Sequence, residues 1–128
     1  MRRCVFLLAL LACGDTRESK PADAHAKFVG AMDAAEAESN SILQDLKNKR
    51  GQESVVRRLD LVRRNLQSAE AVRIRKDPAE HEEMSRYFAT FYAKLDQMRQ
   101  ADWTGEDGPR LWDKLQFQCS VCHGRFRE

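Results

Sequence analysis

Apolar residues recur at steps of three and four through four separate stretches of this 128-residue chain, and no stretch shows the strict alternation of a half-buried strand. A helix returns to the same face every 3.6 residues, so each stretch buries a stripe only if it coils and packs against the others. The first sets Phe28, Ala31, Met32, Ala35, Ile42, Leu43 and Leu46 on one side and ends at Asn48-Lys49-Arg50-Gly51, a basic last turn with a glycine stop. The second starts after Ser54, the expected N-cap, and runs Val55, Leu59, Val62, Leu66, Ala69. Asp77-Pro78-Ala79-Glu80 announces a third helix with an N-cap, a first-turn proline and an acidic capping-box residue, and leads to Met84, Phe88, Phe91, Leu95 and Met98. The fourth follows the turn-rich Thr104-Gly105-Glu106-Asp107-Gly108-Pro109 and carries Trp112, Leu115, Cys119, Cys122 and Phe126 on one stripe. Short joins between four such segments predict an all-α fold, an antiparallel up-down-up-down four-helix bundle over residues 23–128.

Length allows one compact domain and not two. With 42% hydrophobic residues and a formal charge of only +2, the chain has neither the composition of a disordered segment nor the basic excess that nucleic-acid binding requires. Residues 1–12 read differently from the rest: Arg2 and Arg3, then the apolar run Val5 to Leu11, are the pattern of an export signal, and that run is too short for a membrane-spanning helix. Leu10-Leu11-Ala12-Cys13 resembles a bacterial lipobox, which makes Cys13 the expected site of lipidation; the alternative is an ordinary signal peptide cut a few residues later. Residues 13–22 are mostly polar and read as a tether, so the expected place of the protein is the periplasm or cell envelope, held to a membrane by the lipid.

Four cysteines in an exported chain first suggest two disulfides. Cys4 lies in the signal and Cys13 at the lipid site, which leaves Cys119 and Cys122 in Cys119-Ser120-Val121-Cys122-His123. Two thiols with two residues between them can each add to one vinyl group of a protoporphyrin, and a histidine directly after the second reaches the iron. On a helix the thiols are three apart and share a face, and His123 follows Cys119 by four. The motif therefore predicts one covalently attached haem c, with Cys119 and Cys122 binding the cofactor and His123 the metal. Three other readings compete. A redox Cys-x-x-Cys pair normally caps a helix after a strand, and no strand pattern exists; zinc needs a fourth ligand, and neither His25 nor His81 stands in a paired spacing; the third is a coincidental motif in a structural protein.

A late Cys-x-x-Cys-His on the last of four helices resembles the cytochrome c′ family, and Gly124-Arg125-Phe126-Arg127 matches the two variable residues, aromatic and basic residue that follow the motif there. The resemblance spans about residues 23–128, but only the C-terminal motif is diagnostic. It implies that Arg127 lies beside the proximal histidine and shapes that side of the iron; a solvated C-terminal arginine is the alternative. It also places the distal residue on helix one, ten residues ahead of an aliphatic pair, where Met32 precedes Ile42-Leu43. Met32 is then either a soft ligand of a six-coordinate electron carrier, a packing residue over a five-coordinate iron open to nitric oxide or carbon monoxide, or an ordinary core methionine. The family's helix-one arginine for a haem propionate is replaced by Phe28; Lys27 beside it is either a substitute or, more simply, a solvated residue, and His25, seven residues before Met32, either lines the haem edge or is, more simply, an exposed N-terminal histidine. The implied function is electron transfer with redox partner proteins, with gas binding as the alternative. Homodimers, common in the family, are allowed. No enzyme is expected, since helix one has no histidine–arginine pair suited to peroxidase chemistry.

Overall fold

The computed structural model describes residues 21–48 and 50–126. These form four helices, α1 (Pro21–Lys47), α2 (Gln52–Glu70), α3 (Pro78–Gln100) and α4 (Asp107–Phe126), with no strand among the described residues. The expectations for signal peptide, Cys4 and lipidated Cys13 fall outside the described residues, and so does Arg127.

The stripes read from the sequence are the ones that pack. Val55, Leu59, Val62, Leu66 and Ala69 are the buried residues of α2, and Met84, Phe88, Phe91, Leu95 and Met98 those of α3. From α1 come Ala35 and Ile42, and from α4 Leu115, to complete one core with Phe28, Ala31, Met32, Leu46, Trp112, Cys119, Cys122 and Phe126 half-buried against it. Ile42, Leu59, Met98, Leu115 and Val55 are fully enclosed; each such side chain contributes about 1.5–3 kcal/mol by leaving water.

Helix boundaries differ from expectation in three places, each for a local reason. The N-cap of α2 is Gly51 in an extended conformation, not Ser54; the Ser54 hydroxyl instead donates to the Asp45 carboxylate at 2.8 Å, a partner 9 residues earlier. α4 begins at Asp107, ahead of Pro109, because a proline in the first turn removes an N–H that has no helical partner anyway. α1 already includes Pro21 and Ala22, assigned above to the tether, since proline's fixed φ suits a first helical position. The α3 start is as read: the Asp77 side chain accepts from the Ala79 N–H at 2.8 Å, with Pro78 behind it.

Polar links set which helices are neighbours. Asp45, 3% exposed, accepts from Arg58 Nε at 2.6 Å, and the same guanidinium reaches Glu38 at 3.0 Å, tying α1 to α2. These bonds hold the Asp45 carboxyl below the usual carboxylate range, outweighing the opposing effect of burial. Arg63 pairs with Asp96, Arg99 with Asp60 at 3.0 Å, and the Tyr92 hydroxyl donates to Glu70 at 2.6 Å, tying α2 to α3. Arg125 makes two bonds of 2.9 Å to Glu83, and the Phe126 ring stands edge-on to Tyr87 at 5.3 Å, tying α3 to α4.

The α3–α4 connection turns on Trp103, whose indole N–H donates to the Met98 carbonyl at 2.8 Å while its ring is 6% exposed. Gly108 lies flat against that ring: a Cβ there would stand 2.5 Å from Trp103 Cε3 and 3.1 Å from its Cα. Neither the buried ring nor its backbone can yield that distance cheaply. Gly108→Ala is therefore expected to destabilise the fold by about 1–3 kcal/mol, measured as a lower midpoint of denaturant unfolding. Gly124→Ala, with nothing within 4 Å of its Cβ position, is the control expected to leave the midpoint unchanged or raise it.

Candidate functional site

Cys119 and Cys122 lie three apart on the core-facing stripe of α4, both free thiols and both half-buried. Removal from water pushes the Cys119 thiol up from 9.0 to about 11, with further upward contributions from Cys122 and from the Glu36 carboxylate on α1. Burial raises Cys122 as well. A thiol that attacks disulfides does so as a thiolate and is favoured by a lowered ionisation. Both shifts here go the other way, so the pair is held neutral.

Among the described residues no group of three or more His, Cys, Asp or Glu side chains gathers where one ion could bind. A zinc cage requires such convergence. Haem attachment does not, because the sulfurs bond the porphyrin edge while the imidazole addresses its centre, so the donors must be neighbours without meeting at a point. Two neutral thiols on one helical stripe with an imidazole in the next position fit that requirement.

The register of α4 along α1 comes from Ser39. Its hydroxyl, on a residue 6% exposed, accepts from Gln116 Nε2 at 2.8 Å, and its carbonyl accepts from the Trp112 indole N–H at 3.3 Å. Three residues back on α1 and three forward on α4 stand Glu36 and Cys119, close enough for the carboxylate to act on the thiol. Four more in each direction bring Met32 and His123. Met32 is seven residues from Ser39 and His123 seven from Gln116, and two helical turns restore the same face. Met32 on α1 and His123 on α4 are thus each two helical turns from this polar contact.

Exposure separates the members of the set. Met32, Cys119 and Cys122 pack against the common core, whereas the His123 side chain is exposed. Phe28 and Ala31 add apolar surface beside Met32, and Phe28 is half-buried, an apolar side chain where the resembled family has arginine. Lys27 and His25 are both exposed. Two surface clefts lie away from the thiols, one between the start of α3 and Arg125, the other near Gln97 and Leu111. Ser39, Gln116 and the Trp112 indole were not legible as site residues from the sequence. Their only signal is the seven-residue offset from Met32 and His123, which acquires meaning once the two helices are known to touch.

No protein-family model, characterised protein or solved structure matches this chain.

The raised thiols make a prediction for protein produced without an attached group. At pH 8 the ionised fraction of Cys119 is about a hundredfold below that of a thiol titrating near 9, and alkylation by iodoacetamide slows in proportion. Because the folded-state value is the higher one, the associated stability is complete below pH 9 and is lost as pH rises toward 11, the unfolded chain ionising first. Mass-resolved alkylation rates between pH 7 and 11 check this; a fast reaction at pH 8 would mean solvated thiols and a different packing of α4.

Proposed function

We propose that the protein is an exported monohaem c-type cytochrome of the cytochrome c′ type, an electron carrier with haem held by Cys119 and Cys122 on the last helix of an antiparallel bundle, His123 as proximal and Met32 as distal ligand. The observation that carries the reading is the Ser39–Gln116 contact between α1 and α4, from which Met32 and His123 each lie seven residues away, with both thiols half-buried against the core. The sense of the helices is supported by the polar links: Asp45 late in α1 meets Ser54 early in α2, Glu70 at the end of α2 meets Tyr92 while the earlier Asp60 meets the later Arg99, and Glu83 early in α3 meets Arg125 late in α4.

Haem supplies a one-electron iron couple whose potential a thioether axial donor raises. The chain's own residues account for how it would be held. Thioethers are neutral, so converting Cys119 and Cys122 adds no charge to a stripe that already disfavours thiolate. Met32, Phe28 and Ala31 present an apolar wall that excludes polar solutes from the α1 side. The exposed flank of His123 leaves a short path for an electron to a docked redox protein. Arg127, four residues after His123, is assigned to the proximal side of the iron, and Cys13 to the lipid that keeps the domain at the membrane. No helix among the described residues is long and apolar enough to cross a membrane.

Expression with the cytochrome c maturation machinery is expected to yield coloured protein heavier by one haem, with a low-spin ferrous spectrum that Met32→Ala converts to high-spin. Colourless protein with both thiols still titratable would end the reading. Rapid carbon monoxide binding by the unmutated ferrous protein, with no change of spin in Met32→Ala, would instead assign the five-coordinate gas-binding function. A radioactive fatty acid is expected to label the full-length chain and not Cys13→Ala; equal labelling of both would remove Cys13 as the anchor.

A further inference from the structure

The last turn of α4 ought to be its weakest. It contains Gly124, whose missing side chain disfavours helix by about 1 kcal/mol relative to alanine, and Val121, His123 and Arg125 are exposed. The final carbonyls of any helix also lack helical N–H partners. His123 sits one turn from the last described residue of this helix, so fraying by a single turn would release the imidazole while leaving Cys119 a full turn inside.

One residue far away in sequence meets that weakness. Arg75 lies in the connection between α2 and α3 and donates from its guanidinium to the Phe126 carbonyl at 2.6 Å, a partner 51 positions distant. Its guanidinium carbon also stands 5.6 Å from the centroid of the Phe126 ring. A cation at a helix C-terminus is favoured by the partial negative charge there, and a charged donor makes a stronger bond than a neutral one. Phe126 is held on its other sides by the Tyr87 edge and by Arg125, which is itself fixed to Glu83. The turn that carries His123 is thus met at its end by groups from α3 and from the α2–α3 connection.

We infer that Arg75 is a positioning residue for His123, acting through the Phe126 carbonyl to keep the final turn of α4 wound. The consequence for haem binding rests on the function proposed above; the consequence for the helix end does not. Two measurements on the full chain separate them.

Hydrogen exchange reads the helix end directly. In Arg75→Ala the amides of residues 123–126 are expected to exchange about tenfold faster, the loss of one charge-assisted bond, while those of Trp112 to Gln116 keep their protection. Arg75→Lys, which retains a charged donor, is expected to restore most of the difference. Unchanged exchange at 123–126 in Arg75→Ala overturns the proposal whether or not haem is present. The second measurement uses matured protein carrying Met32→Ala, five-coordinate on either reading of Met32, and records the iron–imidazole stretching band of the ferrous form. Adding Arg75→Ala is expected to broaden or split that band with the haem still covalently bound, and Arg75→Lys to restore it. A single unaltered band would show that the imidazole is positioned without Arg75. Failure of the chain to mature at all would count against the cytochrome reading and leave the exchange result to decide the role of Arg75.

Discussion

Ser39 makes the polar contact on which the relation between the first and last helices depends. It is a buried polar residue in the middle of α1, and both its hydroxyl and its carbonyl are engaged by α4, through Gln116 and the Trp112 indole. A buried polar group left without a partner costs about 1–3 kcal/mol. Sliding α4 by one turn, about 5.4 Å along its axis, would break both bonds and leave the Gln116 amide and the Ser39 hydroxyl facing apolar neighbours. Hydrophobic stripes tolerate such slips, because one aliphatic contact resembles the next. The polar pair does not, and it selects the register at which α1 and α4 meet.

The thiols follow from the same packing. They lie on the stripe that α4 buries, so their environment is dry on one side, and desolvation is the leading cause of their upward shift. Dryness works against thiolate chemistry and in favour of a neutral thioether product. A pair of cysteines at the same spacing on the outward face of α4, among Phe117, Ser120 and Val121, would carry the same sequence motif and a different chemistry.

Around this seam the rest of the fold is held by local devices of ordinary strength. The buried Asp45 joins α1 to α2 by accepting from Ser54 and Arg58, and the second arm of Arg58 is taken by Glu38, so one guanidinium bridges two carboxylates. At the far connection, the close approach of Gly108 to Trp103 lets α4 start directly beneath a buried indole. At the other end, Phe126 is enclosed by Arg75, Arg125 and Tyr87.

The number of helices, their class and nearly every buried position of α2 and α3 were legible in the chain, because apolar periodicity is a local property that a single helix expresses by itself. The Cys119–Cys122–His123 motif was legible for the same reason: covalent spacing along a helix needs no partner. Helix ends were less so. Ser54 has the composition of an N-cap, but Asp45 competes for its hydroxyl, and only the packing of α1 on α2 decides that competition. Likewise Ser39, Gln116 and Arg75 carry no mark that sets them apart from their neighbours in sequence. What joins Ser39 to Gln116, and Arg75 to the end of α4, is contact between segments dozens of residues apart, and a one-dimensional pattern has no term for the register at which two helices meet.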